Sequence, residues 1–328
     1  MRVEQTIAQL ERIAAREVGR GSEALAVPAA GGLLAAARSL AGHATPDVAV
    51  FTGFFIPGAE PPAAETDGPL GAIQIAAALR LLGCQVRLVT DEPCALVVEA
   101  AVAAATPGLP VDVAPLNGYD EWAGSLLPRY RRLTHVIACE RVGPGRDGRH
   151  RNMRGEDISG HTAPLEQLYT AGRAFRIGIG DGGNELGMGR LPADLVGRVV
   201  ASGEQIRCVV DADALLVGGT SNWAAAALVG ALALLRPEVP ELRALLGAAW
   251  SYDLLAEIVR VGAVDGVRRR ATLSVDGLDW AAYAEPLTLI AHLVTSPPPA
   301  ELDPQVPDAG PGNRRSSAGH GWIDTPQG

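Results

Sequence analysis

From Asp47 onward, short runs rich in Val, Ile and Ala alternate with longer stretches whose apolar residues recur at helical spacing. Parallel strands joined by crossover helices are buried on both faces, so they read as nearly continuous apolar runs. Strands are expected at 48–54, 85–90, 111–114, 135–139, 176–179 and 207–210. Helices are expected at 68–82, in the alanine-rich run ending at Ala105, and at 121–132, 165–171, 195–202 and 223–235. Two more helices account for the segment up to Leu40, the first marked by Ile7, Leu10 and Ile13 on one side. The expected fold is α/β: a mostly parallel open sheet with helices on both faces, three layers αβα, forming one domain over residues 1–295. From Ser296 the chain turns to Pro, Gly, Ser and charge, and reads as a disordered tail.

Composition removes several function classes. With 328 residues, 48% of them hydrophobic, the chain can bury a large core. No uninterrupted apolar run reaches the roughly 20 residues of a membrane span. The amphipathic, acid-containing N-terminus reads as neither signal nor transit peptide, so a cytoplasmic protein is expected. Cys84, Cys94, Cys139 and Cys208 lack metal-ligand spacing and read as buried free thiols. A net charge of −9 argues against nucleic acid as a partner. The chain contains no lysine, which excludes pyridoxal-phosphate (PLP) chemistry and a Walker A loop.

The glycine-rich run 177–189, IGIGDGGNELGMG, starts like a buried strand and ends like the first turn of a helix. Glycine is chosen where backbone passes close to another group, and Asp181 and Glu185 stand at that point. Gly178, Gly180 and Gly183 satisfy the dinucleotide spacing G-x-G-x-x-G. They begin inside the strand, however, and Asp181 would meet the pyrophosphate, so no NAD is expected.

Ligands bind beyond the carboxyl ends of strands in open parallel sheets. Asp91, Glu140, Asp181 and Asp211 follow expected strands, and Glu65 and Asp67 lie in the loop after the first. Turn chemistry suffices for Asp91 and Asp211. It does not explain Glu140, where a buried strand runs straight into charge. Converging acids demand a counter-charge: a divalent cation such as Mn²⁺ or Mg²⁺, a substrate amine, or Arg141 and Arg154. Thr66-Asp67-Gly68-Pro69 reads as a helix cap. The amides near Thr220, Ser221 and Asn222, opening an apolar helix, suit a carboxylate. His135 reads as a packed residue, whereas His150 and His161 flank a polar loop containing Asn152, Arg154, Glu156 and Asp157.

Four ordered motifs, ETDGP-x-GA, CER-x-G with NMRG-x-DIS, IGDGGNE-x-GMG and GGTSNW, resemble those of the glutamate cyclase-like C-terminal domain family. The likeness runs from about Thr52 to Leu235. It implies cyclisation of D-glutamate to 5-oxo-D-proline with loss of water. The matching positions are Glu65, Thr66, Asp67, Glu140, Arg141, Asp147, Asn152, Asp181, Asn184, Glu185, Thr220, Ser221 and Asn222. Asp181, Glu185 and Glu140 are the expected catalytic residues, and the same three are the expected metal ligands. Arg141 or Arg154 is expected to clamp the α-carboxylate. Two other readings use the same acids: a metal-dependent hydrolase of a small molecule and a non-catalytic amino-acid-binding module. The apolar C-terminal helices lead to the expectation of a homodimer.

Overall fold

A computed structural model describes residues 2–295; the tail reading of 296–328 lies outside the described residues. In chain order the strands are β1 (Asp47–Thr52), β2 (Phe55–Ile56), β3 (Ala63–Ala64), β4 (Gln85–Asp91), β5 (Val111–Ala114), β6 (His135–Cys139), β7 (Phe175–Gly180), β8 (Ala214–Val217), β9 (Ser274–Val275) and β10 (Leu278–Asp279). The helices are α1 (Arg2–Ala14), α2 (Ser22–Ala29), α3 (Gly32–Gly42), α4 (Pro69–Leu81), α5 (Ala95–Ala105), α6 (Tyr119–Tyr130), α7 (Glu166–Tyr169), α8 (Ala193–Val199), α9 (Gly203–Ile206), α10 (Ser221–Leu235), α11 (Ala248–Arg260) and α12 (Trp280–Thr295).

Six strands pair in parallel in the order β5-β4-β1-β6-β7-β8. Alternate residues of β1 feed two cores: Val48 and Val50 pack with α1, α3, α4 and α10, and Ala49 and Phe51 pack with α2, α6 and α7. The sheet is therefore the middle of three layers. Helix α10 is buried on every side against α1, α3, α4 and α12, as befits a helix apolar all round. Among the described residues, no single helix is long and apolar enough to cross a membrane.

The chain winds outward from β1 to β5, then returns to β6 and winds the other way. That reversal leaves a crevice at the carboxyl ends of β1 and β6. Register levels the strand ends there, with Thr52 opposite Cys139 and Cys139 opposite Ile179.

Three sequence expectations are corrected. The N-terminal segment holds three helices, because Gly31, at φ 88°, separates α2 from α3. Residues 207–210 are not a strand. They strap the glycine-rich loop, with Cys208 N bonding Gly183 O and Gly189 N bonding Val210 O, and Val209 is left 44% exposed. The sixth strand is the wholly buried β8, so Asp211 precedes a strand instead of following one. The run 177–189 enters no helix; it folds back so that Gly187 lies against Gly178, where a Cβ on Gly178 would come within 2.8 Å of Gly187 Cα.

His135 lies at the amino end of β6, away from the crevice. Its ring nitrogens meet Ser39 Oγ at 3.0 Å and Thr134 Oγ1 at 2.8 Å. Burial, aided by His43, lowers its pKa from 6.5 to about 4. Between those values the unfolded chain takes up the proton first, so the stability His135 contributes is present above pH 6.5 and lost as pH falls toward 4. Thermal unfolding followed across this window should fall less steeply in His135→Gln than in wild type. An unchanged slope would remove His135 from the acid sensitivity.

Candidate functional site

Two helix N-termini meet behind the crevice and cap each other. The Asp67 carboxylate accepts from Ser221 N at 2.8 Å and Asn222 N at 3.0 Å, at the start of α10. In return Asn222 Oδ1 accepts from Gly68 N and Gly71 N, at the start of α4. Thr220 Oγ1 accepts from Trp223 N at 3.2 Å, and Thr66 Oγ1 donates to Ser274 O at 2.9 Å. The α10 amides thus hold a carboxylate of the chain itself, which corrects the expectation that they face a substrate. Asp67 caps a distant helix, not the one it precedes.

Glu140 leaves β6 in the left-handed region, at φ 47°, a conformation that costs a non-glycine residue of order 1–3 kcal/mol. Its side chain turns toward Ser221, whose Oγ donates to Glu140 Oε2 at 2.5 Å. Gly68 has no room for a side chain here, since a Cβ would lie 2.6 Å from Glu140 Cβ. The loop after β7 wraps around Glu185, which accepts from Gly182 N and Gly183 N at 2.8 Å and from Asp181 N at 3.3 Å. Glycines let three successive amides converge on one carboxylate.

Asp181 meets a partner that strand ends do not supply. Arg20, in the loop between α1 and α2, places Nη1 2.7 Å from Asp181 Oδ2 and Nη2 2.7 Å from Asp276 Oδ1. Asp276 sits in the β9–β10 turn at φ 54°. Sequence reasoning missed both residues, because they come from outside the sheet. The only signals were the glycines flanking Arg20 and the Asp276-Gly277 turn.

A cavity of about 110 Å³ opens between these elements. Glu65, Glu140, Asn152, Arg154, Asp181, Asn184 and Glu185 line it, together with Arg20 and Asp276. Thr66, Asp67, Thr220, Ser221 and Asn222 stand behind that wall. Asn152 accepts from Arg154 N and Glu156 N through Oδ1, and Asn184 Nδ2 donates to Arg151 O. His150 instead meets Glu166 at 3.3 Å, and His161 stacks on Phe55.

Arg141 is the main reversal. Its guanidinium, 1% exposed, points away from the cavity to Asp91 Oδ2 at 2.7 Å and donates to Gly53 O and Ala163 O. It therefore cannot clamp a ligand there. Asp91, read as a turn residue, is its buried counter-ion.

Burial and neighbouring carboxylates set the electrostatics. Burial pushes the Glu140 carboxyl well above its ordinary value, and Asp181, Glu185, Asp67 and Glu65 push it further. Asp181 is also raised, chiefly by burial, although Arg20 opposes the shift. Glu65 and Asp67 are raised by burial and by Asp276. One carboxylate oxygen from each of Glu140, Asp181 and Glu185 lies within 4.8 Å of the others, and the same holds for Asp67, Asp181 and Asp276. Such hard oxygen sets suit Mg²⁺ or Mn²⁺ among metals.

Residues 10–291 match a protein family described as D-glutamate cyclase-like, C-terminal. The mitochondrial D-glutamate cyclase of Homo sapiens is 31% identical over 298 residues, covering 80% of this chain and 48% of the human protein. The chain thus spans about half the length of that relative.

Proposed function

The chain belongs to the D-glutamate cyclase-like C-terminal family, and from that premise we propose that it is a carbon–oxygen lyase closing D-glutamate to 5-oxo-D-proline and water. The observation that carries this reading is the buried group Glu140, Asp181 and Glu185, facing a small cavity whose cationic side chains are Arg20 and Arg154. An amino acid with two carboxylates and one ammonium matches that distribution of charge.

Ring closure moves two protons from the ammonium to the departing oxygen, while the amine nitrogen bonds to the γ-carbon and a C–O bond breaks. Asp181, whose carboxylate Arg20 favours against the burial that raises it, takes a proton from the ammonium and frees the lone pair for attack. Glu140 makes no ion pair among the described residues and burial favours its protonated form, so it protonates the leaving oxygen; the proton taken by Asp181 follows to that oxygen as water departs, and the second proton of the nitrogen restores Glu140. Arg154 holds the α-carboxylate at the cavity mouth through a two-pronged hydrogen bond. Glu185, immobilised by three amides, supplies fixed negative charge for the ammonium. The same three carboxylates suit a Mg²⁺ or Mn²⁺ ion, which would supply positive charge at the leaving oxygen in place of the Glu140 proton.

Proton NMR of the purified protein with D-glutamate, with and without added Mn²⁺ or Mg²⁺, tests the proposal. The expected result is 5-oxoproline, lost in Asp181→Asn. Folded protein that makes none under either condition would assign the activity to the part of the human relative that this chain does not span. Saturable D-glutamate binding without turnover would then make the cavity an amino-acid-binding site.

A further inference from the structure

Arg20 is held in place by hydrogen bonds within its own loop. The Glu17 carboxylate accepts from Gly19 N, Arg20 N and Gly21 N at 2.6, 2.6 and 2.9 Å. Ser22 Oγ donates to Ala15 O at 3.1 Å, and Gly219 N donates to Ala14 O at 2.7 Å, tying the loop to the start of α10. The guanidinium at the end of this frame is 13% exposed and bridges Asp181 and Asp276. Asp276 is 5% exposed in its side chain, lines the cavity, and leaves Oδ2 buried without a donor.

We infer that Arg20 is a built-in cation bound to Asp181 and Asp276, two of the three carboxylates that gather with Asp67, which leaves the cavity one position for an exchangeable cation, at Glu140, Asp181 and Glu185. Asp181 belongs to both groups, so whatever binds one sets the charge available to the other. Two mobile cations sharing Asp181 would repel each other at short range. A guanidinium tethered through the chain cannot diffuse away with product, so one half of the acid cluster is neutralised in every state. The other half is then free to take a substrate ammonium or a metal ion. This division rests on the cation reading of the Glu140 group, and the experiment separates the two.

Mn²⁺ bound per chain, counted from the electron paramagnetic resonance signal of the free ion, is compared in wild type, Arg20→Ala and Arg20→Lys. Arg20→Ala is expected to bind one Mn²⁺ more than wild type. Guanidinium should displace that ion where an equal concentration of sodium does not, and Arg20→Lys should match wild type. The extra ion should vanish in Arg20→Ala combined with Asp276→Asn. Should wild type bind none and Arg20→Ala one, the Arg20 position stands and the metal reading of the Glu140 group fails. Should Arg20→Ala fold only with Mn²⁺ or guanidinium, a melting curve showing that rescue supports the inference equally. An unchanged count in folded Arg20→Ala overturns it, as does a variant that neither cation restores.

Discussion

Glu140→Gln is expected to cut turnover of D-glutamate by about 10²–10⁴-fold, the usual worth of a positioned acid or base, while making the protein more stable than wild type above neutral pH. Both effects have one origin. Burial first, then Asp181, Glu185, Asp67 and Glu65, raise the folded pKa of Glu140 far above its ordinary 4.5. In the unfolded chain the carboxyl ionises near that ordinary value. Stability contributed by the protonated group is therefore complete below pH 4.5 and lost as pH rises through the folded pKa. Glutamine has the same shape, cannot ionise, and still offers an oxygen to the Ser221 hydroxyl. The variant should keep its fold and melt above wild type at mildly alkaline pH, yet lack the proton for the leaving oxygen. Loss of function with gained stability is the pattern of a group retained for chemistry. Full turnover in Glu140→Gln would remove Glu140 from the mechanism, and a lower alkaline melting temperature would show that the negative charge helps the fold.

Arg141→Met should do the opposite, costing about 3–5 kcal/mol of stability, the range for breaking a buried ion pair from one side. The substitution strands the Asp91 carboxylate in the interior and removes the donor from Gly53 O and Ala163 O. A ligand clamp would behave differently: its loss would raise KM and leave the denaturant midpoint unchanged. Chemical unfolding monitored beside steady-state kinetics separates the two roles. A loss of under about 1 kcal/mol would mean the interior tolerates an unpaired Asp91, contrary to the desolvation argument.

The layered α/β architecture was legible because strands buried on both faces leave apolar runs that solvent-exposed segments cannot mimic. The misread strand at 207–210 shows the limit of that signal. RCVV and ALLV are both short and carry adjacent aliphatic residues, and the second pairs because β7 meets it, while the first, which includes Arg207, is drawn across the glycine-rich loop. Glu140 and Asp181 were legible as neighbours for a local reason: acids just beyond parallel strands in register emerge at one level, and Glu185 follows Asp181 within the same glycine-rich loop. Arg141, adjacent in sequence to Glu140, was misassigned because consecutive residues leaving a strand point to opposite sides.

By itself the sequence determined the alternating α/β layering, the close backbone approach in the glycine-rich loop that carries Asp181 and Glu185, and the absence of any lysine chemistry. These depend on backbone conformation, hydrophobic period and residue type, which are properties of neighbouring positions. Only the tertiary structure decided that Asp67 would cap α10, that Arg141 would pair with Asp91, and that Arg20 and Asp276 would enter the acid cluster. Those pairings join positions from 50 residues apart, for Arg141 and Asp91, to 256 apart, for Arg20 and Asp276. Burial makes each partner necessary, since an interior charge must find its counter-charge wherever the fold can bring one.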